Sequence, residues 1–199
     1  MKKLLAFLLA LGIIGCQSSL KKNEKETSKM AEIVSEKNIE SQEPNFENHL
    51  EFPIKKLNLK SIEKSKYENL RIWKFPGGGA IFEQMLEYKK ESSELTLHSY
   101  LIEKYKDKEN FSHLNYSKKI ENKFFTNELV SIIKNPEFIL SKNVEEYCGM
   151  FLGCADFYLV EFTNGKKTIK FTINENIANC DNPKAENLKR IYNLMNKII

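Results

Sequence analysis

The sequence predicts an α+β domain built on an antiparallel sheet, and three observations carry that expectation. An Asn-Gly pair sits between two β-rich runs, Ala155–Phe162 and Lys167–Ile173, the strongest short-range cue for a hairpin. Three further runs rich in aromatic, β-branched or alternating apolar residues precede it, divided by turn signals. The chain then closes on a helical pattern, and nowhere do strands and helices alternate as a parallel sheet requires. The expected architecture has about four to six strands in hairpins or a meander, with a short central helix and a C-terminal helix packed on one face.

Each element has its own signal. Leu70–Phe75 reads as a strand, stopped by Pro76-Gly77-Gly78-Gly79. Ala80–Lys89 and Glu94–Tyr105 are two more, parted by the polar break Lys90–Ser93. In the second, Leu95, Leu97 and Leu101 share one face while Thr96, His98 and Lys104 take the other, the period of a half-buried strand. Asp107–Asn115 reads as loop and Tyr116–Lys123 as a short strand. Thr126–Lys134 is a helix capped by Thr126 or Asn127, with Leu129, Ile132 and Ile133 as its apolar stripe and Asn135-Pro136 as its stop. With Asn164 and Gly165 as a two-residue turn, Val160 faces Ile169 and Tyr158 faces Phe171, both stabilising pairs. The last helix runs from about Pro183 to Ile198. Asn182 suits its N-cap, Pro183 its first position, and Leu188, Ile191, Tyr192, Met195 and Ile198 its buried face.

The N-terminus is an address. Lys2 and Lys3 give a positive start, and Leu4–Ile14 is an apolar stretch of about eleven residues where a spanning helix needs roughly twenty. That order is a secretory signal. Its ending, Ile13-Ile14-Gly15-Cys16, resembles the lipobox of bacterial lipoproteins. The resemblance implies cleavage after Gly15, a diacylglyceryl group on the Cys16 thiol and acylation, as by palmitate, of the new amine. Gln17, where the enterobacterial pattern for inner-membrane retention has Asp, implies the outer membrane. Each buried methylene contributes about 0.8 kcal/mol, so several acyl chains on one cysteine hold a protein on a bilayer unaided. From Gln17 to about His49 the chain alternates Lys and Glu with almost no aromatics, too polar to offset its conformational entropy. The organisation read from the sequence is therefore 1–15 signal peptide, 16–49 lipidated cysteine and flexible tether, and 50–199 a single α+β domain.

Charge and motifs narrow the function. The 199-residue precursor has a formal charge of +4, and losing Lys2 and Lys3 with the signal leaves +2. Only Arg71 and Arg190 are arginines, whereas nucleic-acid recognition favours the bidentate guanidinium. The Gly77–Gly79 run lacks the Lys-Ser/Thr of a phosphate-binding loop. His49, His98 and His113 are far apart, and neither a GxSxG nor an HExxH motif occurs. Glu145-Glu146 with Asp156 offers an acid–base pair, but carboxylates are common in this chain and a solvated face is the plainer reading. Trp73 with Phe75, and Tyr100 with Tyr105, are better taken as packing than as a binding groove.

The remaining cysteines point to a disulfide. Export places Cys148, Cys154 and Cys180 where nearby thiols pair. The hairpin ladder, extended, brings Cys148 within one residue of opposing Cys180 and sets Cys154 opposite Glu175. Cys148–Cys180 is thus the first choice and Cys154–Cys180 the second. Cys148, Met150 and Cys154 also form a soft-sulfur set suited to Cu(I), which His98 or His113 could join through folding. The expected function is a non-enzymatic, lipid-anchored envelope module without cofactor, binding an envelope protein or the cell wall and no nucleic acid. The alternatives are a copper-binding or thiol-redox protein using Cys148, Met150 and Cys154, and a small hydrolase with polar groups converging in a pocket.

Overall fold

Six antiparallel strands form one sheet in the order β4-β3-β2-β1-β5-β6. They are β1 (Asn69–Phe75), β2 (Phe82–Lys89), β3 (Glu94–Leu101), β4 (Tyr116–Lys119), β5 (Phe157–Thr163) and β6 (Thr168–Asn174). Among the described residues four α-helices accompany them: α1 (Phe46–Lys56), α2 (Lys123–Ile133), α3 (Glu145–Cys148) and α4 (Glu186–Ile198). The computed structural model describes residues 46–105, 115–149, 153 and 155–199, and Phe46–Ile199 form one unit. The signal peptide, Cys16, the tether up to residue 45 and nearly all of the loop read at Asp107–Asn115 lie outside the described residues. Among those described, no helix is long and apolar enough to cross a membrane.

One face of the sheet is dry. Leu97, Leu86, Ile72, Val160 and Phe171 lie in one row across β3, β2, β1, β5 and β6. All five are 6% exposed or less, and α2 and α4 cover them through Leu129, Ile132, Leu188, Ile191 and Met195, all fully buried. Alternation produces this face, since every second residue of a strand points the same way. The guanidinium of Arg190 donates from Nε and Nη2 to one oxygen of Glu128, at 3.0 and 2.8 Å, tying α4 to α2. The fully buried Phe138 packs edge-on against Phe162 and Phe171, with centroids 5.1 and 5.8 Å away.

The opposite face is covered as well. Here α1 and the segment after it close over Trp73, Met85, Tyr100 and Leu159, with Leu50 of α1 only 5% exposed. Residues 46–49, read from sequence as the end of the tether, are the first turn of this helix. Asn48 and His49 are exposed and Leu50 is the first buried residue of the helix, so composition alone could not separate them from the Lys/Glu tract.

Several boundaries differ from the sequence reading. Glu94–Tyr105 is a strand only to Leu101; Glu103–Tyr105 turn into a 3₁₀ helix, so Lys104 is not on a strand face. The strand read at Tyr116–Lys123 stops at Lys119 because Asn122 caps α2, its side chain accepting from the Phe124 amide, in place of Thr126 or Asn127. The C-terminal helix opens with a 3₁₀ turn at Pro183–Ala185, and Asn182 accepts from the Lys184 amide as an N-cap does.

The β5–β6 hairpin has a longer loop than expected. Thr163 pairs with Thr168, so residues 164–167 form the turn, Val160 faces Phe171 and Tyr158 faces Ile173. Asn164 Oδ1 accepts from the amides of Lys166 and Lys167, at 3.0 and 2.8 Å, which favours an Asx-type turn over the two-residue form. The shift is by two residues, so every side chain keeps its face. At the two sheet edges, β4 carries Lys118 and Lys119 and is exposed throughout, and β6 is partly capped. There the Val144 amide donates to the Thr172 carbonyl (2.9 Å), and the Thr172 amide donates to Asn143 Oδ1 (3.1 Å).

Candidate functional site

The second face carries a row of alternating charge. Directly opposed across β3, β2, β1, β5 and β6 stand Thr96, Glu87, Arg71, Glu161 and Lys170. Arg71, Glu87 and Glu161 are only 3%, 3% and 4% exposed. Ionised groups are not buried at that depth without partners, and each has them. Arg71 Nε donates to Glu87 Oε1 (3.0 Å), and its Nη2 donates to the Lys60 carbonyl (2.7 Å). Glu87 Oε2 meets Lys89 Nζ at 2.8 Å and His98 Nε2 at 3.8 Å. Trp73 Nε1 donates to Glu161 Oε2 (2.7 Å), whose other oxygen lies 3.4 Å from Lys170 Nζ.

This setting fixes protonation. Burial pushes the Glu87 carboxyl up, but the contacts to His98 and Lys89 and the charge of Arg71 outweigh it, leaving the pKa at about 2. Glu87 is therefore a carboxylate at any ordinary pH, and a poor base. His98 pairs through Nδ1 with Ser117 Oγ on the neighbouring strand at 2.7 Å. Serine, histidine and carboxylate thus stand in line, the constellation of nucleophilic catalysis. The carboxylate that would steady an imidazolium is already neutralised by Arg71 and Lys89, however, and it sits 3.8 Å from the ring.

Over this row the segment 57–68 makes a wall, and between wall and sheet is a groove of ≈ 840 Å³. Arg71 clamps the wall through the Lys60 carbonyl, and the Ser65 hydroxyl donates to the Tyr67 carbonyl (2.9 Å). The β5–β6 turn supports it from outside. A Cβ on Gly165, whose φ is +84°, would meet the Lys66 carbonyl at 2.4 Å, so the position admits only glycine. Asn69 and His98 are among the residues lining the groove, and Asn69 Oδ1 and His98 Nε2 are buried without a hydrogen-bond partner among the described residues, Nε2 facing Glu87 Oε2 at 3.8 Å. Lys60, Lys64 and Lys66 are exposed at its rim, and Tyr67 is 52% exposed beside them.

At the other end of the same face Glu83, 5% exposed, accepts from the Tyr100 hydroxyl (3.1 Å) and pairs with His49 Nε2 of α1 (2.8 Å). The hydrogen bond with Glu83 holds the His49 pKa above the ordinary value against the opposing effect of burial. His49, read from sequence as part of the tether, is thus a contact between helix and sheet.

The other residues singled out by sequence fall as follows. Cys148 is bonded to Cys180, with Cα atoms 5.4 Å apart, which joins the end of α3 to the turn before α4. The bond is not a continuation of the hairpin ladder: Cys148 closes a helix and Cys180 follows a 3₁₀ turn. Cys154, the alternative partner, lies outside the described residues, as do Met150 and His113. Among the described residues no three His, Cys, Asp or Glu side chains are grouped to hold a metal. Trp73 and Tyr100 are core, their rings edge-on at 6.4 Å. Glu145 accepts from Thr172 Oγ1 and Asn174 Nδ2, Glu146 pairs with Lys142, and Asp156 pairs with Lys74 and accepts from the Gly77 amide. The acid–base candidates thus each hold a structural contact. The groove was missed because alternation assigns Arg71, Glu87 and His98 to the polar side of their strands without showing that this side is covered. Trp73, Phe75, Met85 and Tyr100 share that side, and so many large apolar residues there were the available signal.

Compared with known proteins, the chain matches no family model and no curated protein.

Proposed function

We propose that this chain is a lipid-anchored protein of the bacterial cell envelope whose folded unit works as a non-catalytic binding module. The membrane half of the reading rests on Ile13-Ile14-Gly15-Cys16, with Gln17 favouring the outer membrane. The disulfide between Cys148 and Cys180 agrees with an oxidising compartment. The binding half rests on one observation above the rest: a groove of ≈ 840 Å³ lined by charged and polar side chains, beside which Asn69 Oδ1 and His98 Nε2 are buried without a hydrogen-bond partner among the described residues. Buried polar atoms are normally satisfied, so the pair singles out this face of the sheet. Binding is favoured over turnover because the Glu87 carboxylate is already paired with Arg71 and Lys89 and stands 3.8 Å from His98 Nε2, too far to hydrogen-bond and orient the ring as a nucleophile's base requires. Anchoring raises the local concentration of the domain at the membrane, so modest contacts with a cell-wall component or envelope protein suffice.

Metabolic labelling with palmitate tests the anchor. The parent is expected to take up label and partition into the detergent phase, and Cys16→Ser to do neither and to accumulate as precursor. Equal fractionation of the two, or an unlabelled parent, would remove the membrane half of the proposal.

A further inference from the structure

We propose that the stretch from the end of α1 through the wall, Lys55 to Lys66, is a docking surface for an anionic bilayer, its lysines lying against lipid headgroup phosphates. The proposal rests on the anchored half of the reading above and adds the side on which the folded unit meets the membrane.

Sequence order and charge carry it together. Helix α1 opens the Phe46–Ile199 unit, so this stretch comes directly after residues 17–45, the chain that leads back to Cys16. Lys55, Lys56, Lys60, Lys64 and Lys66 are all exposed. Among the described residues none of the five stands in an ion pair. Glu63, the one acid between them, pairs with Lys170 (3.6 Å), and Glu68 just beyond pairs with Lys90 (2.9 Å). Glu51 and Glu91 are the acids left to oppose five lysines. The surface is continuous. Lys55 shares a depression with Asn58 and Leu59, and those two residues also border the groove whose rim carries Lys60, Lys64 and Lys66.

The chemistry favours a fluid array of charges over one fixed ligand. A site for a single phosphate or carboxylate uses buried donors or the planar fork of arginine. Here every free cation is an ammonium on a flexible stem, while Arg71 is buried and committed to Glu87 and the Lys60 carbonyl. An acidic peptide in the surrounding solution is dilute. A bilayer to which the chain is fastened stays within reach, so contacts that are weak one by one add up. Each lysine near such a surface strengthens association about fivefold, an effect that fades beyond a Debye length of about 10 Å. Tyr67, 52% exposed where the stretch ends, is of the residue type that collects at headgroup depth. The exposed Lys118, Lys123 and Lys197, on β4, α2 and α4, are fewer and lie far along the chain from residue 45, and they serve as the comparison.

Lysine footprinting tests the surface. The mature protein is reconstituted into vesicles of phosphatidylcholine alone, or of equal parts phosphatidylcholine and phosphatidylglycerol. It is then acetylated with a water-soluble ester and read by mass spectrometry. Lys60, Lys64 and Lys66 should react about fivefold more slowly on the anionic vesicles, and the difference should vanish in about 1 M NaCl. Lys118, Lys123 and Lys197 should react alike on both. Lys60→Gln/Lys64→Gln/Lys66→Gln should release Lys55 and Lys56 from protection at an unchanged Tm. Lys118→Gln/Lys123→Gln/Lys197→Gln, an equal change of charge, should leave them protected. Equal reactivity of the wall lysines on the two vesicles would overturn the proposal. So would equal protection of both lysine groups, or protection of Lys55 and Lys56 that survives the first triple variant. Flotation with the pure phosphatidylcholine vesicles reports the anchor by itself. A protein that floats there, yet shows no protected lysines on the anionic vesicles, keeps the anchored reading and loses this surface. One that floats only with the anionic vesicles, its wall lysines protected, keeps the surface and loses the anchor. One that floats with neither loses both.

Discussion

On the α2/α4 side of the sheet, Leu97, Leu86, Ile72, Val160 and Phe171 form a row with no polar atom in it. On the α1 side, one residue along each strand, the neighbouring row is Thr96, Glu87, Arg71, Glu161 and Lys170. The strands are the same and the three central residues of each row are equally buried, although Thr96 and Lys170 at the ends of the second are more open, yet the two rows are held by different forces. The first is stabilised by apolar area removed from water, which has no directional requirement and hardly responds to pH or salt. The second is held by charges whose desolvation is offset only while every partner is present, so it tolerates no single loss. The second row also ties the sheet to what covers it, through the bond from Arg71 to the Lys60 carbonyl.

That contrast is best broken at Glu87. Glu87→Gln leaves the buried Arg71 uncompensated, and we expect it to cost about 3–5 kcal/mol in urea unfolding. The pH profile carries the sign. The Glu87 pKa falls from 4.5 in the unfolded chain to about 2 in the fold, so its contribution is present above pH 4.5 and lost as pH drops through about 2. Glu87→Gln should flatten that acid limb, and an unaltered limb would show that the charged row does not govern it.

The disulfide belongs to the dry layer, where Cys148 and Cys180 pack against its core. Replacing both by Ser opens a loop with a sequence separation of 32 residues, and about 3–4 kcal/mol of stability should go with it, independent of pH between 5 and 8. A smaller change on the same face, Ile72→Val, removes one methylene and should cost about 0.5–1.5 kcal/mol, lowering the whole pH curve in parallel. If that curve instead changed shape, the two faces would be coupled more tightly than their geometry implies.

The smallest effect is expected at His49, which is partly exposed. Its pKa is raised by Glu83, so the contact is at full strength below about pH 6.5 and is lost as pH rises through the raised value. Amide exchange in α1 should accelerate between pH 6 and 9 after correction for intrinsic rates, by the equivalent of less than about 1 kcal/mol. His49→Gln should abolish the pH dependence of that protection.

The dry face was legible because one-dimensional periodicity reports it. Leu95, Leu97 and Leu101 alternate with polar neighbours, and Leu129, Ile132 and Ile133 recur at helical spacing. The hairpin was found but its register slipped by two, because Asn164 turns its side chain onto the following amides instead of adopting positive φ. The Cys148–Cys180 pairing was reached through that slipped register, so its agreement with the structure owes more to closeness in the fold than to the ladder. Helix α1 escaped notice since Phe46–Lys56 contains Pro53 and follows a charged tract. The groove was the least legible part. Which of 27 acidic side chains turn inward is decided by what covers a strand, and that information lies in α1 and the wall, far from Glu87 in sequence.

The treatment of the two sheet edges bears on how copies of this chain meet one another. Unpaired strand edges invite a neighbour's strand, and the hazard grows with crowding. At β4 the lysines Lys118 and Lys119 repel a like edge, and at β6 Asn143 and Val144 occupy the Thr172 hydrogen-bonding groups that an incoming strand would seek. Both devices raise the cost of edge-to-edge pairing between copies of this chain.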